Sequence, residues 1–210
     1  MPESLEDARS PARVFLQQVP KAFMRDVLRC LYKCYEAAWE ECAGLPEEEA
    51  HDLRPHYRRA LFEAGLRDVA QRYSTVKATT KRNRMRNYSH TYIRCGRVLL
   101  TESAVESPDQ MIRRAEFRAT YARYNQLFLW DKPLPPPATA PLYAVLIHGA
   151  STDPRQPLFA RIKFPGPDCA GYIEGNCIDL FEMFKEDVVK RQKRLESTPK
   201  PKLVEKPETA

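Results

Sequence analysis

Two histidines are the residues of this chain best suited to acid–base chemistry. Only His51, His56, His90 and His148 occur. His51 and His56 stand five apart, which puts them on different faces of a helix, so they read as surface residues rather than a shared metal site. His90 and His148 fall on segments with strand character. His148 closes an apolar run just before Gly149, where a strand delivers a side chain to an edge or cleft. An imidazole there titrates near neutral pH and can act as general acid or base. With Arg94 or Arg97 to stabilise a phosphorane, His90 and His148 would suit metal-independent RNA cleavage, one activating the 2′-hydroxyl and the other protonating the leaving oxygen. Other chemistries lack their motifs. There is no GxSxG elbow, no GxxxxGK[ST] loop and no GxGxxG, and seven glycines leave little room for a phosphate cradle. Six cysteines are present without a CxxC pair. Cys30 and Cys34 stand one helical turn apart but have no second ligand pair, so no metal and no cofactor is expected.

Charge is the stronger signal. Between Arg67 and Arg97 nine Lys or Arg face one acid, Asp68, a local charge of +8 against a formal +6 for all 210 residues. A concentrated positive field suits a polyanion, and nucleic acid is the commonest. The expected contacts are Lys77, Thr79, Lys81, Arg82, Arg84, Arg86, Arg94 and Arg97. Tyr73, Tyr88 and Tyr92 lie among them. Exposed, such rings stack on unpaired bases; half-buried, they are ordinary strand residues.

Val69 to Arg82 reads VAQRYSTVKATTKR. It resembles the helix-turn-helix of bacterial DNA-binding regulators at Val69, Ala70, Tyr73, Lys77, Ala78, Thr79 and Arg82. The resemblance implies a second helix whose Lys77, Thr79, Lys81 and Arg82 face the major groove. It departs at Ser74, where Gly is usual, and at Thr75, Val76 and Thr80. A competing reading makes Val76 to Arg84 extended, because Val76, Ala78 and Thr80 alternate with Lys77, Thr79 and Lys81 and Thr favours strands. That arrangement grips phosphate rather than reading sequence.

The elements that would hold these residues follow from periodicity. Apolar residues from Ala12 to Cys42 recur at three and four, interrupted by Pro20, which predicts a short helix and a longer one. Pro46 and Glu47 to Glu49 open another, with Pro55 breaking or restarting it before Tyr73. Period two then predicts strands Tyr88 to Arg94 and Arg97 to Ser103 around Cys95-Gly96, with Ile93 beside Val98 and His90 beside Thr101. Ser107 to Asp109 opens an arginine-bearing helix to Phe128. Lys132 to Pro141 is a stiff proline loop. Leu142 to His148 reads as a central strand covered on both faces, paired with Leu158 to Phe164. Pro165 to Asn176 reads as irregular. Ile178 to Leu195 is a last helix, with Asp179 as its cap.

The expected fold is therefore α+β: a helical N-terminal region (1–75), an α+β domain (76–196) with a small antiparallel sheet of about four strands and two packed helices, and a disordered tail (197–210). No run approaches the roughly 20 apolar residues that span a bilayer, and the polar, acidic start carries no signal peptide, so a cytoplasmic address is expected. Shortness, basicity and the absence of housekeeping motifs resemble proteins of bacterial plasmids and prophages. The expected function is a nucleic-acid-binding accessory or regulatory protein, with DNA ahead of RNA as partner and no membrane. The alternatives are a ribonuclease or toxin-like enzyme using His90 and His148, and an adaptor or inhibitor that meets a protein partner through its N-terminal helices.

Overall fold

The computed structural model describes residues 10–82, 89–129 and 139–197. Arg84, Arg86, most of the proline loop and the two chain ends lie outside the described residues. Helices α1 (Pro11–Gln18), α2 (Lys21–Glu41) and α3 (Glu47–Ala70) come first. Strands β1 (Val76–Arg82), β2 (Ser89–Cys95) and β3 (Val98–Ala104) follow, then α4 (Glu116–Ala122) and a 3-10 helix (Arg123–Phe128). Strands β4 (Leu142–Ala150), β5 (Pro157–Pro165) and β6 (Tyr172–Asp179) complete one six-stranded sheet in the order β1-β2-β3-β4-β5-β6. Helices α5 (Leu180–Met183) and α6 (Lys185–Ser197) end the described chain.

The first helices form where apolar spacing demands them. In α1, Ser10 caps by accepting from the Arg13 N–H, and Pro11 occupies the first turn, where its missing N–H costs nothing. In α2, Phe23, Val27, Leu31 and Tyr35 recur at four and are buried. Helix α3 runs through Pro55 without a break. The hydrogen bond that Pro55 cannot give belongs to the carbonyl of His51, and both residues are exposed, so water serves it.

The sheet has six strands, two more than expected. Both additional strands are edges: β1 and β6. All neighbours are antiparallel except β3 and β4, which are parallel. A parallel pair needs a crossover, and residues 105–141 supply it, carrying α4 and the 3-10 helix. The expected long helix from Asp109 to Phe128 is thus two short pieces preceded by an irregular strap, on which Ile112 packs against Val145 and Ile147. The β2–β3 connection is Gly96-Arg97, with Gly96 at φ +54°; Gly at the first of two turn positions suits a type II′ turn. Its register pairs Cys95 with Val98 and Ile93 with Leu100, two residues away from the expected one.

Register settles the two faces. Ile93, Leu100 and Ala144 are direct neighbours across three strands, and one cluster joins them to Phe15, Phe23, Leu31 and Phe62 of the helices. The helices and this inner face share a core, so the boundary near residue 75 is a change of secondary structure inside one packed body. The outer face carries Leu99 and Tyr143, which pack with Ala122 and Cys169 under the crossover. Among the described residues no helix is long and apolar enough to cross a membrane.

Candidate nucleic-acid interface

The segment resembling a helix-turn-helix contains only the first of its two helices. Residues 76–82 pair with β2 along seven positions, Val76 with Cys95 through Arg82 with Ser89. No recognition helix exists there to enter a major groove, and the extended reading holds. The reason is alternation: Val76 is buried and Ala78 packs on the core, whereas Lys77, Thr79 and Lys81 point to the outer face and are exposed. A helix would have put Val76 and Thr80, rather than Val76 and Ala78, on one side.

Across the ladder, Lys77 sits directly opposite Arg94, Thr79 opposite Tyr92 and Lys81 opposite His90. Arg94 is exposed as well. Like charges directly opposite destabilise a strand pair, and among the described residues no carboxylate pairs with Lys77, Lys81, Arg82 or Arg94. Lys81 Nζ lies 5.1 Å from the Tyr92 ring centre. Tyr92, and then Tyr121, raise the Lys81 ammonium above its ordinary pKa. Behind this row stands an aromatic group that sequence reading did not assemble: Tyr121 lies 6.1 Å from Tyr92, 6.2 Å from Tyr124 and 5.7 Å from Tyr143. Arg113, on the strap before α4, and Arg123, which opens the 3-10 helix after it, are exposed.

The other basic residues do other work. Arg67 donates to the Thr80 and Thr91 hydroxyls at 3.3 and 3.1 Å, tying the hairpin to α3. Arg72 lies 4.0 Å from Asp26. Arg97 is half-buried in the β2–β3 turn and donates to the Ala140 carbonyl at 3.3 Å; burial lowers its pKa. Arg118 donates to the carbonyls of Arg113 and Glu102 at 2.8 and 3.2 Å. Of the expected contacts, Lys77, Thr79, Lys81 and Arg94 share one face, Arg82 is exposed at the end of β1 with the opposite parity, and Arg97 stands apart.

His90 and His148 are not brought together. His90 shares the outer face with Lys81, whereas His148 lies level with the inner-face residues Ala144 and Leu146 on β4 and touches helices α2 and α3. The sheet separates them, as strand parity requires. His90 stacks on Phe117, ring centres 3.8 Å apart and 11° from parallel. It is 6% exposed, and neither ring nitrogen has a hydrogen-bond partner among the described residues. Burial first, then Arg118, Lys81 and Arg59, lower its pKa, so it is held neutral.

His148 instead belongs to a buried polar chain. Tyr35 Oη is 2.9 Å from His148 Nδ1, and His148 Nε2 is 3.2 Å from Glu102 Oε2. If Nε2–H donates to the carboxylate, Nδ1 accepts the phenol proton. The order resembles a nucleophile, a base and an orienting acid. Yet Tyr35 is 1% exposed, and burial raises its pKa, so no substrate or neutral-pH phenolate is at hand. The chain reads as structure. Nearby, β2 leaves β3 after three paired positions, and the freed Thr91 N–H donates to Glu63 of α3. Burial raises the Glu63 pKa, opposed by hydrogen bonding from Thr91. Glu102 was legible as a signal: it shares parity with Leu100 in a strand that faces the core.

Among the described residues no group of three or more His, Cys, Asp or Glu is arranged to hold a metal ion. Asp179, expected as a cap, accepts from the N–H groups of Phe181 and Glu182 and salt-bridges Arg161 at 2.9 Å. No protein-family model, curated protein or solved structure matches the chain.

Proposed function

We propose that this chain is a nucleic-acid-binding accessory or regulatory protein that grips phosphates with the outer face of the β1–β2 hairpin. One observation carries the reading: Lys77 and Arg94 directly oppose each other, with Lys81 on the same face and no described carboxylate paired with any of them. A fold retains such a repulsive pair at a cost, and a bound polyanion offsets it. A strand-borne row of cations contacts the backbone and not base edges, so binding is expected to be weakly sequence-selective. The loss of the recognition helix removes the ground for favouring DNA, and the partner is nucleic acid of either kind inside the cell.

The test is anisotropy with labelled oligonucleotides of equal length, measured against salt. Wild type is expected to bind at low salt with a steep salt slope. A Lys77→Gln, Lys81→Gln, Arg94→Gln variant loses affinity, and its slope falls by about 2–3 if each cation neutralises one phosphate. Failure of wild type to bind at low salt, or unchanged binding by the variant, would end the reading.

A second reading has a specific observation behind it. Leu53 and Tyr57 stand one turn apart on α3 and are 40% and 42% exposed, a small apolar patch suited to a protein partner of the N-terminal helices. Co-elution with a partner in the absence of nucleic-acid binding, lost in Leu53→Asp, would favour it. The two-histidine ribonuclease gains no support, because the sheet lies between His90 and His148.

A further inference from the structure

We propose that Cys30 is a thiol-modification site that exchanges with small anionic disulfides, with Cys34 positioned to activate it. The site is independent of the hairpin and lies on the helical layer. Cys30 and Cys34 are one turn apart on α2, with sulfurs 3.9 Å from each other in hydrogen-bond contact. Cys30 is half-buried, and Cys34 is buried beneath it. Cys30 lines a groove of about 620 Å³ among α2, α3 and α6, a size ordinary for small-molecule sites.

The opposite helix makes room for this sulfur. A Cβ built on Gly65 of α3 would lie 2.3 Å from Cys30 Sγ and 3.9 Å from Cys34 Sγ. Any side chain there would displace the thiol from the groove wall. The groove is also cationic: six Lys or Arg against three Asp line it, and although Glu36 behind it pairs with Arg191 and Arg194, a positive excess remains that favours an anionic guest. Lys33 and Lys190 make no ion pair with a described carboxylate, and both are exposed. Asp68 is the carboxylate that acts against the Cys30 charge. Hydrogen bonding from Cys34 lowers the Cys30 pKa, helped by Lys33 and Arg72 and opposed by burial and Asp68. By contrast Cys177 is the one exposed cysteine of the six, yet burial of its sulfur raises its pKa. Thiolate character and access together set reactivity, so the two sites make opposite predictions.

In the reaction the Cys30 thiol loses its proton to solvent, with the Cys34 S–H hydrogen-bonded to the resulting thiolate. The thiolate attacks one sulfur of the disulfide and forms a mixed disulfide. The bond between the two partner sulfurs breaks, and the second sulfur leaves as a thiolate that takes up a proton from water. The external disulfide supplies the oxidising equivalent.

The experiment incubates the full chain with oxidised glutathione and maps the product by peptide mass spectrometry over time and pH. One glutathionyl group is expected on Cys30 before Cys177. Cys34→Ala, which removes the hydrogen bond, slows the Cys30 reaction several-fold and moves its pH profile upward; Cys34→Ser, which keeps a donor, restores much of it. Lys33→Gln with Arg72→Gln slows reaction with oxidised glutathione more than with the neutral bis(2-hydroxyethyl) disulfide, whose smaller loss reflects only the raised Cys30 pKa. Modification of Cys177 first, or a Cys30 rate and pH profile indifferent to Cys34→Ala, overturns the proposal.

Discussion

His148 is held by two partners and buried to 2% exposure, and its worth can be measured. Its removal strands a carboxylate and a phenol in the core. Leaving a buried polar group without its partner costs about 1–3 kcal/mol, more for a carboxylate. His148→Ala is therefore expected to lower the urea midpoint by that equivalent, with Tyr35→Phe costing about 1 kcal/mol, the worth of one hydrogen bond. A loss below about 1 kcal/mol for His148→Ala would show the chain to be a bystander. His90 predicts a pH dependence. Its folded pKa lies below the unfolded value of about 6.5. The unfolded chain then binds the proton first as pH falls, so the stability that neutral His90 allows is present above about 6.5 and is lost as pH drops through the folded value. His90→Phe keeps the stack on Phe117 and removes the proton. The difference in denaturation midpoint between wild type and this variant is expected to shift against wild type as pH falls from neutrality, and a pH-independent difference would refute it.

At the scale of the element, the β1–β2 hairpin sets stability against function. Lys77→Glu would turn the opposition with Arg94 into attraction. Cross-strand pairs of opposite charge contribute about 0.2–1 kcal/mol, so the variant is expected to gain thermal stability while losing affinity for oligonucleotides. Melting and anisotropy on the same sample decide the matter; a variant that loses both properties would mean that Lys77 packs rather than binds. Periodicity spoke clearly for α1 and α2, because one apolar stripe per helix is what burial against a single layer demands; for α3, whose buried positions include Arg54 and Glu63, it left a break at Pro55 open. It failed for Asp109 to Phe128. There the apolar residues serve different neighbours: Ile112 meets Val145 and Ile147, whereas Ala122 meets Leu99 and Tyr143. Spacing along the chain does not reveal that two targets lie in different places.

For the molecule as a whole, the parallel β3–β4 contact is the organising event. The crossover is pinned by Asn125, fully buried on the 3-10 helix. Its amide donates to the carbonyls of Tyr143 and Pro165 at 2.8 Å each, and its oxygen accepts from the Tyr143 N–H at 2.8 Å. Asn125→Ala leaves three buried backbone groups without partners, each costing about 1–3 kcal/mol, and is expected to unfold the protein at room temperature or to bring it close. An intact cooperative transition with an unchanged midpoint would refute the pin. Strand β4 lies between β3 and β5 and is buried at every position from Leu142 to Gly149, so its amides are expected to exchange most slowly of all.

Much of this was written in local chemistry. Alternation in VKATTKR placed Lys77, Thr79 and Lys81 on a common side once the segment was taken as extended, and the unbroken apolar run LYAVLIH announced a strand covered on both faces. Asp179 was recognisable as a cap from its position alone. These properties depend on a residue and its chain neighbours. Strand order, the parallel crossover and the separation of His90 from His148 depend on which distant segments meet, and a one-residue change of parity sends a side chain to the other face of a sheet. So do the meeting of Tyr35, His148 and Glu102, and the room that Gly65 leaves for Cys30: their partners are far apart along the chain and come together only through packing.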